Sequence, residues 1–159
     1  MITLEAKFNQ ISDYIDSLNI ITYWGGWCHN MTDKDIPYGL GITAGCEGNI
    51  YSFNDNGISG YLFFRGLSST NSSIKNEIRV TGGIYIFTPH KFIGELNNTY
   101  QLPLTIFGQL NKRFTARYNF TIDSVTGVRR FEDKEMALIS FDFLHYGDCT
   151  LPTIGDPIC

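Results

Sequence analysis

The chain has 159 residues, a formal net charge of −4, and 43% hydrophobic against 18% charged residues. This length fits one domain, and the apolar share supplies a packed core that a disordered chain would lack. The acidic balance argues against a general nucleic-acid binder, and no run approaches the roughly 18 consecutive apolar residues of a membrane-spanning helix.

The N-terminus has no basic segment followed by an apolar one, so it does not read as a secretory signal. With Met1 as the start, the expectation is a reducing cytoplasm, where disulfides rarely persist. Cys28, Cys46, Cys149 and Cys159 would allow three pairings on export, and their spacing selects none. The Asn-x-Ser/Thr triplets at Asn30, Asn71, Asn97 and Asn119 read as a by-product of an Asn-rich composition.

Residues 3–19 predict an amphipathic helix. Leu4, Phe8, Ile11, Ile15 and Leu18 share one stripe, with Thr3 as N-cap and Glu5 in the first turn. Residues 23–48 hold six glycines, Pro37 and both tryptophans, and predict an extended Gly/Trp-rich insertion. From residue 49 the period becomes two. Ile50–Phe53 and Ile58–Arg65 flank Asn54-Asp55-Asn56-Gly57, a hairpin cue, and Ser68–Ser73 reads as a polar loop.

Ile78, Val80, Ile84 and Ile86 share one parity across Gly82-Gly83, which predicts a long strand with a bulge or bend at the glycines. Pro103 to Phe114 suits a second helix with Leu104, Phe107, Leu110 and Phe114 near one face; the alternation Leu102, Leu104, Ile106 equally permits a strand. Tyr118, Phe120 and Ile122 alternate with polar residues as a half-buried strand. Ala137–Tyr146 is apolar on both sides, as in a central strand or one meeting a partner. Residues 147–159 read as an extended C-terminal arm.

No arrangement marks a reaction. For zinc, only His145 and Cys149 have suitable spacing; Cys28, His29 and Cys46 do not. Cys28, His90, His145 and Asp148 carry no local signature of a nucleophile and its base. Asp33 with Asp35, and Glu132, Asp133 and Glu135, are interleaved with Lys34 or Lys134 as in a solvated loop. The reading is therefore non-enzymatic, with no cofactor and no metal. Tyr23-Trp24-Gly25-Gly26-Trp27 is the most unusual segment: its aromatics suit core plugs, interface anchors or a sugar-stacking platform.

The stripe Leu4, Phe8, Ile11, Ile15, Leu18 and the strands around Ile78–Phe87, Tyr118–Ile122 and Ala137–Tyr146 make one α+β domain over residues 1–146. In it, an N-terminal helix packs on an antiparallel sheet. This pattern resembles the neck and tail-terminator ring proteins of tailed bacteriophages. The resemblance implies a structural virion component, assembled in the host cytoplasm. Copies of it would form a ring against portal, tail or other ring proteins, with DNA passing through the lumen unbound and no membrane involved. The candidate subunit-interface residues are Tyr23, Trp24, Trp27, Phe141, Phe143, Tyr146, Leu151 and Ile154. The alternative is a secreted or surface β-rich module that binds glycans through Tyr23, Trp24 and Trp27.

Overall fold

Thr3 starts the first helix as expected: its hydroxyl oxygen accepts from the Ala6 amide at 3.1 Å, satisfying one of the free N–H groups of the first turn. Helix α1 (Leu4–Ser17) buries Phe8, Ile11, Ser12 and Ile15. It ends at Asn19, whose φ of 53° is a left-handed conformation that asparagine tolerates better than most residues. The structure, a computed structural model, describes residues 3–28, 42–44, 49–51, 56–71, 73, 76–89, 100–115, 117–122, 128–131 and 134–146.

The strands are β1 (Tyr23–Cys28), β2 (Ile42–Ala44), β3 (Asn49–Tyr51), β4 (Ser59–Ser69), β5 (Glu77–Pro89), β6 (Tyr118–Ile122), β7 (Val128–Phe131) and β8 (Lys134–Tyr146). Helix α2 (Leu102–Arg113) lies between β5 and β6. The main sheet runs β1-β4-β5-β8-β6, with β7 also paired to β8, and β2 and β3 form a separate pair. The fold is α+β, with the N-terminal helix on the sheet.

The sheet is mixed, where a purely antiparallel one is expected from the sequence. Every pairing is antiparallel except that of β1 with β4. A parallel neighbour needs a crossover of a dozen residues or more, and residues 29–58 supply one. Tyr23–Cys28, at the start of the expected extended segment, is the outermost strand of the sheet among the described residues. Residues 29–41 and 45–48 lie outside the described residues, as does the arm 147–159.

Of the hairpin expected at Asn54–Gly57, residues 52–55 lie outside the described residues, and the flanking strands have other partners. Asn49–Tyr51 pairs with Ile42–Ala44, and β4 pairs with β5 instead. The β4–β5 hairpin closes where Thr70 Oγ1 donates to the Glu77 carbonyl at 3.4 Å, so Ser68 and Ser69 belong to the strand and not to the loop. The bulge is also displaced. β5 runs unbroken through Gly82-Gly83, and the extra residue is Arg65 on β4, between Phe64↔Gly82 and Gly66↔Thr81. The glycines serve packing: a Cβ on Gly82 would collide with the Phe141 ring and lie 2.8 Å from the Phe63 carbonyl.

β5 and β8 pair along their full lengths, from Glu77↔Tyr146 to Pro89↔Lys134, at the centre of the sheet. One face carries Leu62, Val80, Ile84, Ile86, Ile139, Phe141 and Phe143 under the two helices. The rings of Phe64, Phe141 and Phe143 surround Phe8 at 5.7–5.8 Å. At one end of the other face Tyr61, Phe63, Tyr85, Phe87, Met136 and Leu138 are buried. At its other end an Arg79–Asp142 ion pair at 2.7 Å is joined by Asn119 and flanked by a hydrogen bond from Arg65 to Ser140. The two-sided apolar character of β8 therefore belongs to a central strand.

Residues 102–113 form a helix, not a strand, and Pro103 occupies its first turn, where a missing N–H costs nothing. Its buried stripe is Pro103, Ile106 and Leu110, followed by Phe114, and Leu104 points outward. The helix carries two overlapping apolar stripes. Contacts of Phe114 with Tyr14, Tyr118 and Phe120 at 5.1–6.1 Å select the inner one.

Candidate functional site

Tyr23 and Trp24 are neighbours on β1, so their side chains take opposite faces of the sheet. Tyr23 pairs with Ser59 and is 39% exposed. Trp24 pairs with Gly60 and packs partly buried against the core beneath α1. Its indole Nε1 donates to the hydroxyl of buried Ser12 at 3.0 Å. Gly60 makes room for it: a Cβ there would lie 3.1 Å from the indole ring. Trp24 is thus a core plug, and the joint Tyr23–Trp24 platform drawn from the sequence does not form.

Trp27 pairs through its backbone with Leu62, past a register shift where Gly26 takes a φ of 80°. Its side chain lies outside the described residues. Phe141 and Phe143 need a second correction. Both are buried beside Phe8, and a ring sealed in the core offers no surface to another subunit. Alternation on β8 places them inward, and their partners come from α1, far away in sequence. Leu151 and Ile154 lie outside the described residues, as do His29, Cys46, His90, Asp148, Cys149 and Cys159.

Other apolar side chains are on the surface. Tyr100, in the helical turn just before α2, is 49% exposed, and Leu104, in the first turn of α2, is 50% exposed. Residues four apart on a helix are surface neighbours, so these two make one patch. Leu67, 56% exposed, stands on the part of β4 beyond its pairing with β1. The signal for Leu104 was present in the sequence as the outer apolar stripe of α2, which binary patterning alone does not separate from the inner one.

Tyr146, another of the predicted residues, meets Arg117 at the end of β8. Arg117 precedes β6 with a φ of 70°, a conformation that costs most residues free energy and is held by its surroundings. Its carbonyl accepts from the Leu144 amide at 3.3 Å. Its guanidinium stacks on the Tyr146 ring at 4.7 Å and contacts the Tyr146 hydroxyl. From α1, Lys7 Nζ donates to the Leu144 carbonyl at 3.4 Å and sits 5.4 Å from the Phe143 ring centre. His145, between Leu144 and Tyr146 in the chain, has its Nδ1 buried and without a hydrogen-bond partner among the described residues.

Burial, then repulsion by Arg117, lowers the pKa of Lys7; burial, then repulsion by Lys7, lowers that of His145. Burial raises the pKa of the Tyr118 hydroxyl nearby. Among the described residues no group of three or more His, Cys, Asp or Glu side chains converges as a metal site would require. No protein-family model matches the chain, and no curated protein matches it.

Proposed function

We propose that this chain is a non-enzymatic structural subunit that assembles with copies of itself. In its specific form it is a ring component in the neck or tail of a tailed bacteriophage, built in the host cytoplasm and carried in the virion. Its neighbours there would be portal, tail or other ring proteins, and DNA would pass through the lumen unbound. The observation that carries the assembly reading is the Tyr100–Leu104 patch on the outer face of α2. A leucine and a tyrosine held half-exposed one turn apart, while other apolar residues of the same helix are buried, suit a surface that another chain covers. Leu67 on the β4–β5 hairpin offers a second contact, and a ring needs two different faces on each copy. The bacteriophage assignment rests on the pattern of one backing helix, a sheet with long central strands and a second helix.

The glycan reading has less support, because Trp24 is engaged by Ser12. The test is native mass under reducing conditions across a concentration series. A closed ring, or oligomers growing with concentration, is expected. A monomer at every concentration overturns the reading.

A further inference from the structure

Among the asparagines of the chain only Asn56 is followed by glycine, and the pair stands just before β4. Asn56 is exposed to water. Gly57 has no Cβ to shield its amide nitrogen from the side chain that precedes it. The residue after the pair is pinned. The Ile58 amide donates to Thr22 Oγ1 at 3.3 Å, and the Ile58 carbonyl accepts from the Tyr23 amide at 2.9 Å. The Ile58 side chain is buried in the core, and the ladder between β1 and β4 opens at Tyr23↔Ser59. Gly57 is itself closely approached: a Cβ there would lie 2.7 Å from Thr22 Cγ2 and from Tyr23 Cε2.

We propose that Asn56 is a site of spontaneous deamidation, and that the isoaspartate it yields loosens strand β1 from the sheet, whether or not the chain assembles. In the first step the Gly57 nitrogen attacks Asn56 Cγ. The N–Cγ bond forms, the Cγ–Nδ2 bond breaks, and Nδ2 leaves as ammonia with the proton of the Gly57 amide. Water then opens the cyclic imide, its hydroxyl adding to one carbonyl carbon and its proton going to the ring nitrogen. Opening at Cγ gives aspartate; opening at the main-chain carbonyl carbon gives isoaspartate, whose backbone runs through Cβ and Cγ. Nothing is oxidised or reduced. Both products add a negative charge, but only isoaspartate lengthens the main chain, by a C–C bond of about 1.5 Å. That length has to be taken up between Asn56 and Gly57. Ile58 is held at both its amide and its carbonyl, and Gly57 has no room toward Thr22 and Tyr23. The strain therefore falls on the end of β4 through which β1 pairs. The same packing restrains the Asn56–Gly57 peptide, so ring closure draws on brief opening of this edge and is slower than in the unfolded chain.

Timed incubation of the full chain in mildly alkaline buffer tests this, read by peptide mapping with mass spectrometry and by isoaspartyl methyltransferase labelling. Acid in place of amide is expected at residue 56 ahead of every other asparagine, with isoaspartate among the products and a rate that rises with pH. Asn56→Gln, whose longer side chain closes a ring less readily, is expected to lose the signal. In the isoaspartate fraction the Tyr23 and Ile58 amides should exchange hydrogen roughly tenfold faster, as loss of one or two bonded anchors implies. Freshly prepared Asn56→Asp carries the charge without the extra bond and should exchange at the parent rate. Residue 56 still an amide when another asparagine has reacted, or at the end of the series, overturns the proposal. So does an isoaspartate fraction whose Tyr23 and Ile58 amides exchange as in the parent, or an equal acceleration in Asn56→Asp, which would assign the effect to charge.

Discussion

The indole Nε1 of Trp24 donates to the Ser12 hydroxyl at 3.0 Å, and this bond ties the edge strand β1 to the helix that covers it. Among the described residues β1 meets the sheet on one side only, through β4, so its attachment to α1 is a second anchor. Trp24→Phe keeps most of the apolar contact but leaves buried Ser12 without its donor. The expected loss is about 1–2 kcal/mol in urea unfolding. Combined with Ser12→Ala, the two losses should be less than additive by about 0.5–1 kcal/mol. Strict additivity would show that the bond does not act between them.

Gly82 and Gly108 should respond oppositely to the same substitution. At Gly82 a methyl group meets the Phe141 ring and the Phe63 carbonyl, so Gly82→Ala is expected to destabilise by about 2 kcal/mol. At Gly108, inside α2, a Cβ meets nothing within 4 Å. Gly108→Ala there should stabilise by about 0.5–1 kcal/mol through helix propensity alone. Thermal melts of the two variants against the parent decide the matter, and equal signs would contradict the packing described for the central strands.

Leu104→Glu puts a charge into the exposed patch of α2. Because Leu104 is half-exposed and makes no part of the core cluster, stability of the folded chain should change by no more than about 0.5 kcal/mol. The native mass should fall to that of the single chain. Tyr100→Ser should act in the same direction. Oligomers that survive both substitutions would move the interface away from α2.

His145 makes stability pH-dependent. Its folded pKa lies below the ordinary value of 6.5, so between the two values the unfolded chain binds more protons. Its contribution is therefore fully present above about pH 6.5 and is lost as pH falls through the folded value. Parent and His145→Asn should show parallel stability curves above that point and diverge below it, the parent falling faster. Unfolding midpoints measured from pH 5 to 8 in a phosphate-free buffer test this, where about pH 5 lies above most carboxylate titrations. Curves that stay parallel throughout would remove His145 from the account.

The elements with a clean period were legible in the sequence. Thr3, Phe8, Ile11 and Ile15 marked α1, and Tyr118, Phe120 and Ile122 marked β6, whereas residues 103–114 fitted a helix or a strand equally. The candidate site was much less legible. Phe141 and Phe143 were apolar in the sequence whether they faced a helix or another subunit, because hydrophobicity records the wish to leave water and not the identity of the cover. Arg117, which stacks on Tyr146, carries no motif: its place depends on a left-handed turn and on a tyrosine 29 residues away.

By itself the sequence determined that this chain has an N-terminal amphipathic helix, long β-strands and a single α+β architecture, because local periodicity sets which faces must be buried. Only the tertiary structure decided the rest. It put β1 parallel beside β4, moved the bulge from Gly82-Gly83 to Arg65, turned Trp24 onto Ser12, and set Arg117 against Tyr146. Those outcomes depend on pairings between distant segments, where the steric fit of one ring over one glycine selects among registers that patterning leaves equal.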